Sequence, residues 1–219
     1  MTGWTRERVN AMLDALEREH PQAVCELVYD TPFQLLVAVI LSAQCTDKRV
    51  NQVTAELFRY ADKPEQYAVM AQEDLESRIY SCGVYRNKAK NIIAASRDIV
   101  ERFDSQVPRD IETLMTLAGV GRKTANVVYA VAFGGQAIAV DTHVLRLSNR
   151  IGLAQGDQPL QVEKQLMQVL PRERWTQAHH LLIHHGRYTC SARSPKCDAC
   201  SIRPYCMQYR KWVPAQTGK

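Results

Sequence analysis

Leu117-Ala118-Gly119-Val120-Gly121-Arg122-Lys123-Thr124-Ala125 is the stretch on which the fold turns. Before it, Asp110 to Leu117 has the spacing of a short helix. After it, Arg122 to Phe133 has the spacing of a longer one, so the Gly-x-Gly is a turn between two helices. Two glycines one residue apart allow backbone angles that other residues resist, and let another group come close to the backbone. The N–H groups of Val120, Gly121 and the next turn are then free at a helix N-terminus. Such a terminus attracts phosphate through its donors and its dipole, and Arg122 and Lys123 add positive charge beside it. The alternative is a tight helix–helix connection with two solvated bases. Leu114, Leu117, Val120 and Val127 would fix the hairpin rigidly in either case.

Outward from the hairpin the periodicity stays helical. Val9, Met12, Leu13 and Leu16 recur on one face, with Thr5 placed to cap the helix and Pro21 just beyond it. Phe33 to Leu41 is a mostly apolar segment interrupted by Gln34, with Pro32 at a first-turn position. Asp47 is placed to cap a helix carrying Val50, Val53 and Leu57, and Asp74 to Tyr80 gives a shorter one. From Lys88 to Phe103, Ala89, Ile92, Ile93, Ser96, Ile99, Val100 and Phe103 form one face, with charged residues opposite. Asp141 to Arg150, Leu160 to Leu170 and Trp175 to His185 are three further helices. Val127-Val128 and Ile138-Ala139-Val140 are the only β-like runs, and the first lies inside a helical pattern. The expected class is all-α, without internal repeats, with Gly134-Gly135 as the crossing between two domains.

The 219 residues are 46% hydrophobic and 23% charged, ordinary for a globular chain of one or two domains. No window approaches the ~20 apolar residues that span a bilayer. The N-terminus has no apolar signal region, so a cytoplasmic, reducing location is expected, with no membrane partner. The formal charge of +5 is unevenly spread. Residues 187–219 hold seven of the 28 Lys/Arg and one of the 23 Asp/Glu, a net of +6, which leaves −1 for residues 1–186. That tail also holds Cys190-x6-Cys197-x2-Cys200-x5-Cys206. Four thiolates so close can surround one zinc ion or one iron–sulfur cluster, and the spacing alone leaves both open. Cys25, Cys45 and Cys82 have no such spacing and fit as small packed residues.

Lys123 falls in the first turn of the second hairpin helix. There the dipole and the neighbouring bases favour the neutral, nucleophilic amine. Asp141 follows an apolar stretch and precedes a helix, a capping position with Thr142 and His143 next. Singly, these residues fit a phosphate contact and an N-cap. Together, an amine and a carboxylate facing one cavity could perform covalent chemistry at a sugar carbon.

The hairpin resembles the helix-hairpin-helix element, which holds DNA by its phosphates and carries no base code. With Val140-Asp141-Thr142-His143 added, the chain resembles the endonuclease III family of base-excision DNA glycosylases. Ala118 stands where many members have proline, which slightly loosens the turn. The cysteine spacing matches, ligand for ligand, the family's [4Fe-4S] loop, and the resemblance runs from the N-terminal helix to Cys206. It implies a six-helix barrel over residues 25–135 that contains the hairpin, and a second helical domain of 1–24 and 136–219 with the cluster loop. Duplex DNA would lie across both, with the active site in the cleft between Lys123 and Asp141.

The resemblance also implies the chemistry of a bifunctional glycosylase and abasic-site lyase acting on oxidised pyrimidines such as thymine glycol. Lys123 would attack the anomeric carbon, and Asp141 would stabilise positive charge on the sugar or help deprotonate the nucleophile. β-Elimination from the Schiff base would then cut 3′ to the abasic site. Gln44, in Leu41-Ser42-Ala43-Gln44-Cys45-Thr46-Asp47, resembles the residue that fills the space of an extruded nucleotide. Val84, in Cys82-Gly83-Val84-Tyr85-Arg86-Asn87-Lys88, resembles the partner wedge between bases. Asp47 is a pocket residue or an N-cap. Gly119, Val120, Gly121, Arg122, His143, Arg187, Arg193, Lys196 and Arg203 would meet the DNA. His179, His180, His184 and His185 are expected as packing or surface residues. A monomer associated with the nucleoid is expected. Two rivals stand beside this reading. An adenine glycosylase of mispairs shares the hairpin and cluster loop, but generally lacks the lysine and has an extra C-terminal domain, whereas this chain ends thirteen residues after Cys206. The other rival is a non-catalytic DNA-binding module held by zinc.

Overall fold

A computed structural model describes residues 3–216, and every regular element among them is helical. The chain forms two compact units, one of Met1–Cys25 with Gln136–Lys219, the other of Glu26–Gly135.

The first unit begins with α1 (Arg6–Glu19). The Thr5 hydroxyl accepts from the Arg8 N–H at 3.3 Å, a cap contributing about 1 kcal/mol. Val9, Met12, Leu13 and Leu16, the stripe seen in the sequence, are completely buried. They meet apolar faces of α9 (Thr142–Ile151), α10 (Pro159–Val169) and α11 (Trp175–Tyr188) in one core that includes Val144, Leu147, Leu166 and Leu181. Each such side chain contributes roughly 1.5–3 kcal/mol by leaving water. Cys190 and Cys200 pack against the edge of this core, and the chain closes with α12 (Met207–Gln216).

The second unit holds α2 (Pro32–Ser42), α3 (Asp47–Tyr60), α4 (Pro64–Ala68), α5 (Gln72–Ile79), α6 (Tyr85–Arg102), α7 (Ile111–Leu114) and α8 (Arg122–Phe133). These are seven α-helical segments where six were expected. The five residues of α4 are too few for a periodic signal. α2 is buried along nearly its whole length, against α8, α6 and α3. Gln34, the polar interruption in α2, is buried with its side-chain oxygen accepting from the Asp30 N–H at 2.7 Å.

Several sequence expectations need correction. The N-cap of α3 is Thr46, whose hydroxyl accepts from the Arg49 N–H at 3.3 Å; Asp47 is the first helical residue. α7 stops at Leu114. The N–H groups of Thr116 and Leu117 bond back three residues, which makes turns instead of helix. Ile138-Ala139-Val140 is buried irregular chain, apolar because it is covered on all sides. Lys88, assigned to the charged face of its helix, is buried.

Candidate functional site

The hairpin is rigid on one side and open on the other. Gly119 has φ +75°, and a Cβ built there would lie 2.7 Å from the Asn91 side chain, so both its backbone and its space demand glycine. The Val120 N–H bonds to the Leu117 carbonyl at 3.1 Å, and its side chain is buried. Val120 therefore closes the turn, and its N–H is not an outward donor as the sequence reading had it. Gly121 differs from Gly119. Its φ is an ordinary −86°, and an added Cβ would meet nothing within 4 Å. The N-cap residue of α8 is Gly121 itself, which has no side chain to cap the helix. The fold alone does not require glycine at 121, whereas an anion approaching the helix terminus would. Lys123 stands exposed in the first turn of α8, while Ala125, Asn126, Val128 and Ala130 turn inward; Arg122 is half-buried.

Asp141 is the N-cap of α9. Its Oδ1 accepts from the N–H groups of His143 at 2.9 Å and Val144 at 2.8 Å. Both bonds fall on one oxygen, so capping and a second task at Oδ2 are compatible. His143 is half-buried, with Nδ1 3.3 Å from the Arg146 guanidinium. It packs so closely on Gly186 that a Cβ there would lie 2.9 Å from the His143 Cβ. The same Arg146 donates to the carbonyls of Gly186 (2.9 Å) and Cys190 (3.1 Å). One turn later Arg150 donates to the carbonyls of Ser191 and Ala192, both at 2.7 Å, and to Cys190 Sγ at 3.4 Å. α9 thus has Asp141 at its head and grips the cysteine loop with two arginines. Neither arginine is marked out by sequence spacing, because their partners are backbone carbonyls some 40 residues on.

Cys190, Cys197, Cys200 and Cys206 line one cavity, together with Arg150, His185 and Ile202. Burial, reinforced by the neighbouring sulfurs of Cys190 and Cys206, pushes the Cys197 thiol up. Burial pushes Cys200 up to about 11. Thiols that oppose each other's ionisation in one cavity suit a cationic metal core, which would hold all four as thiolates. The donor set therefore fits a four-cysteine metal centre. His185 is buried beside it, with Nε2 3.4 Å from Cys200 Sγ and Nδ1 3.1 Å from His20. Burial lowers His185 to about 4. Glu19 completes this cluster; burial alone would raise it, but hydrogen bonds from Ser201 and Thr189 hold it below its ordinary value. Arg193, Lys196 and Arg203 are exposed around the loop, and Arg187 is half-buried.

Gln44 and Val84 are both exposed, and both are non-glycine residues in the left-handed region, with φ of 55° and 48°. Such backbone costs roughly 1–3 kcal/mol and persists only where the surroundings enforce it. The two loops are neighbours, since a Cβ built at Gly83 would lie 3.7 Å from the Gln44 carbonyl oxygen. Asp47 is half-buried at the start of α3 and lines a surface hollow with Glu26, Lys48, Asn51 and Gln52.

Residues 37–172 match the HhH-GPD superfamily of base excision DNA repair proteins, and residues 190–206 match the iron–sulfur binding domain of endonuclease III. The chain is 50% identical to endonuclease III of Bacillus subtilis (strain 168) over 206 residues, 94% of each chain. It superposes on a trapped endonuclease III–DNA covalent intermediate with a TM-score of 0.89 and 48% identity, covering 95% of this chain and 99% of that one. A non-covalent endonuclease III–DNA complex gives a TM-score of 0.89 and 47% identity, with 96% and 99% covered.

Proposed function

The chain belongs to the endonuclease III family of helix-hairpin-helix base-excision repair proteins, and on that premise we propose that it excises oxidised pyrimidines from duplex DNA through Lys123 and Asp141. It is a DNA glycosylase and abasic-site lyase that binds DNA, and its four-cysteine loop carries a [4Fe-4S] cluster. Cys190, Cys197, Cys200 and Cys206 would hold the cluster, which would add to the grip of Arg146 and Arg150 on the loop and so help set the surrounding bases in place. The finer assignments are our reading: a monomer that works on the nucleoid, and thymine glycol among its substrates. The observation that carries it is the exposed Lys123 in the first turn of α8. It sits beside a helix terminus whose N-cap, Gly121, carries no side chain, in a chain 48% identical to a protein trapped covalently on DNA.

The residues divide the work as follows. The N-terminus of α8, with Gly119 shaping the turn against Asn91, Gly121 clearing the approach and Arg122 beside it, holds a phosphate. Gln44 and Val84 enter the duplex as the damaged nucleotide leaves it, offsetting part of the unstacking cost. Asp47 borders the space taken by the extruded base. The Lys123 amine forms a bond to the anomeric carbon, and the bond from that carbon to the base breaks, the base leaving with the electron pair and gaining a proton. Asp141, through Oδ2, offsets the positive charge on the sugar. The nitrogen gives up a proton and its electron pair forms the C=N bond of an imine as the bond from that carbon to the ring oxygen breaks. That oxygen keeps the pair, takes a proton and stays on C4′ as a hydroxyl, and removal of a C2′ proton then forms a C2′=C3′ bond and expels the 3′ phosphate. His143, Arg187, Arg193 and Lys196 meet the flanking phosphates.

Borohydride reduction of the imine tests the assignment. K123A retains duplex binding within a few fold but yields no covalent adduct; an adduct at wild-type level would place the nucleophile elsewhere. D141N keeps an oxygen for the α9 cap and slows base release by roughly a hundredfold or more, a loss of general acid–base or electrostatic assistance. Unchanged turnover would remove Asp141 from the chemistry.

A further inference from the structure

Lys88 lies in the first turn of α6 and is only 5% exposed. Its ammonium has three N–H groups, and three backbone carbonyls receive them: Leu41 at 2.8 Å, Ala43 at 2.6 Å and Cys82 at 2.5 Å. Leu41 and Ala43 belong to the C-terminal turn of α2, where the last carbonyls of a helix lack intrahelical donors and the dipole is negative. Cys82 ends the 3₁₀ turn Tyr80–Cys82, immediately before Gly83 and Val84. The Lys88 backbone N–H bonds to the Val84 carbonyl at 3.2 Å. One residue therefore holds the chain on the N-terminal side of Gln44 and of Val84 through its ammonium, and Val84 itself through its backbone N–H.

An arrangement whose only task was to fill the interior would not need a charge. Burying an ammonium is costly unless all its donors are met, and burial does lower Lys88 from its ordinary value. An apolar side chain would fill the same space without that cost, but would leave three carbonyls unpaired in two loops. What the charge adds is a fixed relation between those loops, at Gln44 and Val84, two of the four described non-glycine residues whose backbone takes the left-handed conformation.

We propose that Lys88 is a positioning residue that locks the Gln44 and Val84 loops into one register, so that both side chains enter the duplex as a unit. The inference rests on the reading of Gln44 and Val84 as the residues that open the stack. Lys88 touches no reacting atom. Its contribution is to the step in which the nucleotide leaves the helix, and it should be felt only where there is a stack to open.

The test compares two substrates with holoenzyme carrying K88M, K88Q or the double substitution Q44A/V84A. One is a duplex with a single thymine glycol; the other is a single-stranded oligonucleotide with one abasic site, which has no stack to open. We expect K88M to lower the single-turnover rate of base release from the duplex at least tenfold, with K88Q between it and wild type. Borohydride trapping on the single strand should stay within about twofold. A 2-aminopurine beside the lesion should brighten with wild-type enzyme and stay quenched with K88M. Equal losses on both substrates would make Lys88 a general support of the fold and overturn the proposal. So would duplex excision by K88M within twofold of wild type while Q44A/V84A is slow. If Q44A/V84A itself excises at the wild-type rate, the reading of the loops fails and takes the positioning role with it.

Discussion

Gly119 and Gly121 share one motif for different reasons, and substitution should separate them. Gly119 carries a positive φ and abuts Asn91, so G119A forces strain into the hairpin and costs roughly 1–3 kcal/mol of stability. Gly121 has ordinary backbone and open space around it, and it sits at a helix N-cap, where serine is favoured. G121S should therefore unfold at or above the wild-type temperature while binding duplex DNA about tenfold more weakly, because the hydroxyl and its Cβ would occupy the place proposed for a phosphate. Thermal unfolding and a titration at fixed salt check both halves; weakened stability in G121S would deny the open terminus its functional meaning. In the sequence the two glycines look alike, since spacing carries no information about which one meets a neighbour. Val120 likewise looks like an outward donor, and only the fold reveals that its N–H is spent on Leu117.

Among the elements, α8 was fully legible and α9 only half so. α8 begins after Gly121 and stops at Gly134, whose φ of 67° ends the helix in the left-handed manner that glycine permits, so both boundaries are written in local chemistry. α9 announces its start through Asp141, but its grip on the cysteine loop is tertiary. Arg146 and Arg150 reach carbonyls far along the chain, and a solvated arginine would look the same in the sequence. The same limit hid Lys88, which interrupts no pattern until the fold buries it. The arginines carry a prediction. Hydrogen bonds from a charged donor are each worth roughly 1.5–3 kcal/mol, and a change of 1.4 kcal/mol is about tenfold in a local opening equilibrium. R150A removes contacts to Ser191, Ala192 and Cys190 together, so the cluster should bleach at least tenfold faster in the presence of an iron chelator. The visible absorbance reports this directly, and a wild-type bleaching rate would mean that the cluster, not Arg150, orders the loop.

For the whole molecule, composition and chemistry point to different places. The two compact units each bury a core whose stripes the periodicity had disclosed, as the complete burial of Val9, Met12, Leu13 and Leu16 illustrates. Yet Lys123 and Asp141 lie in the part of the chain with a net of −1, while the net of +6 gathers in residues 187–219, around the cluster. On the proposed assignment, charge marks affinity and leaves the reaction unmarked. Arg193, Lys196 and Arg203 are exposed on the loop that bears the four cysteines, and on the proposed reading each phosphate they neutralise would release condensed counterions. Because each duplex phosphate contact contributes a slope of about −0.9 in log K against log salt, R193A/K196A/R203A should flatten that slope by roughly 2 to 3. The single-turnover rate at saturating enzyme should barely change, since these side chains act before the damaged base is out of the stack. Titrations from low to moderate salt measure the slope. A triple variant with the wild-type slope would show that these bases serve only to balance the negative charge of the cluster and its thiolates, and that the DNA is held elsewhere.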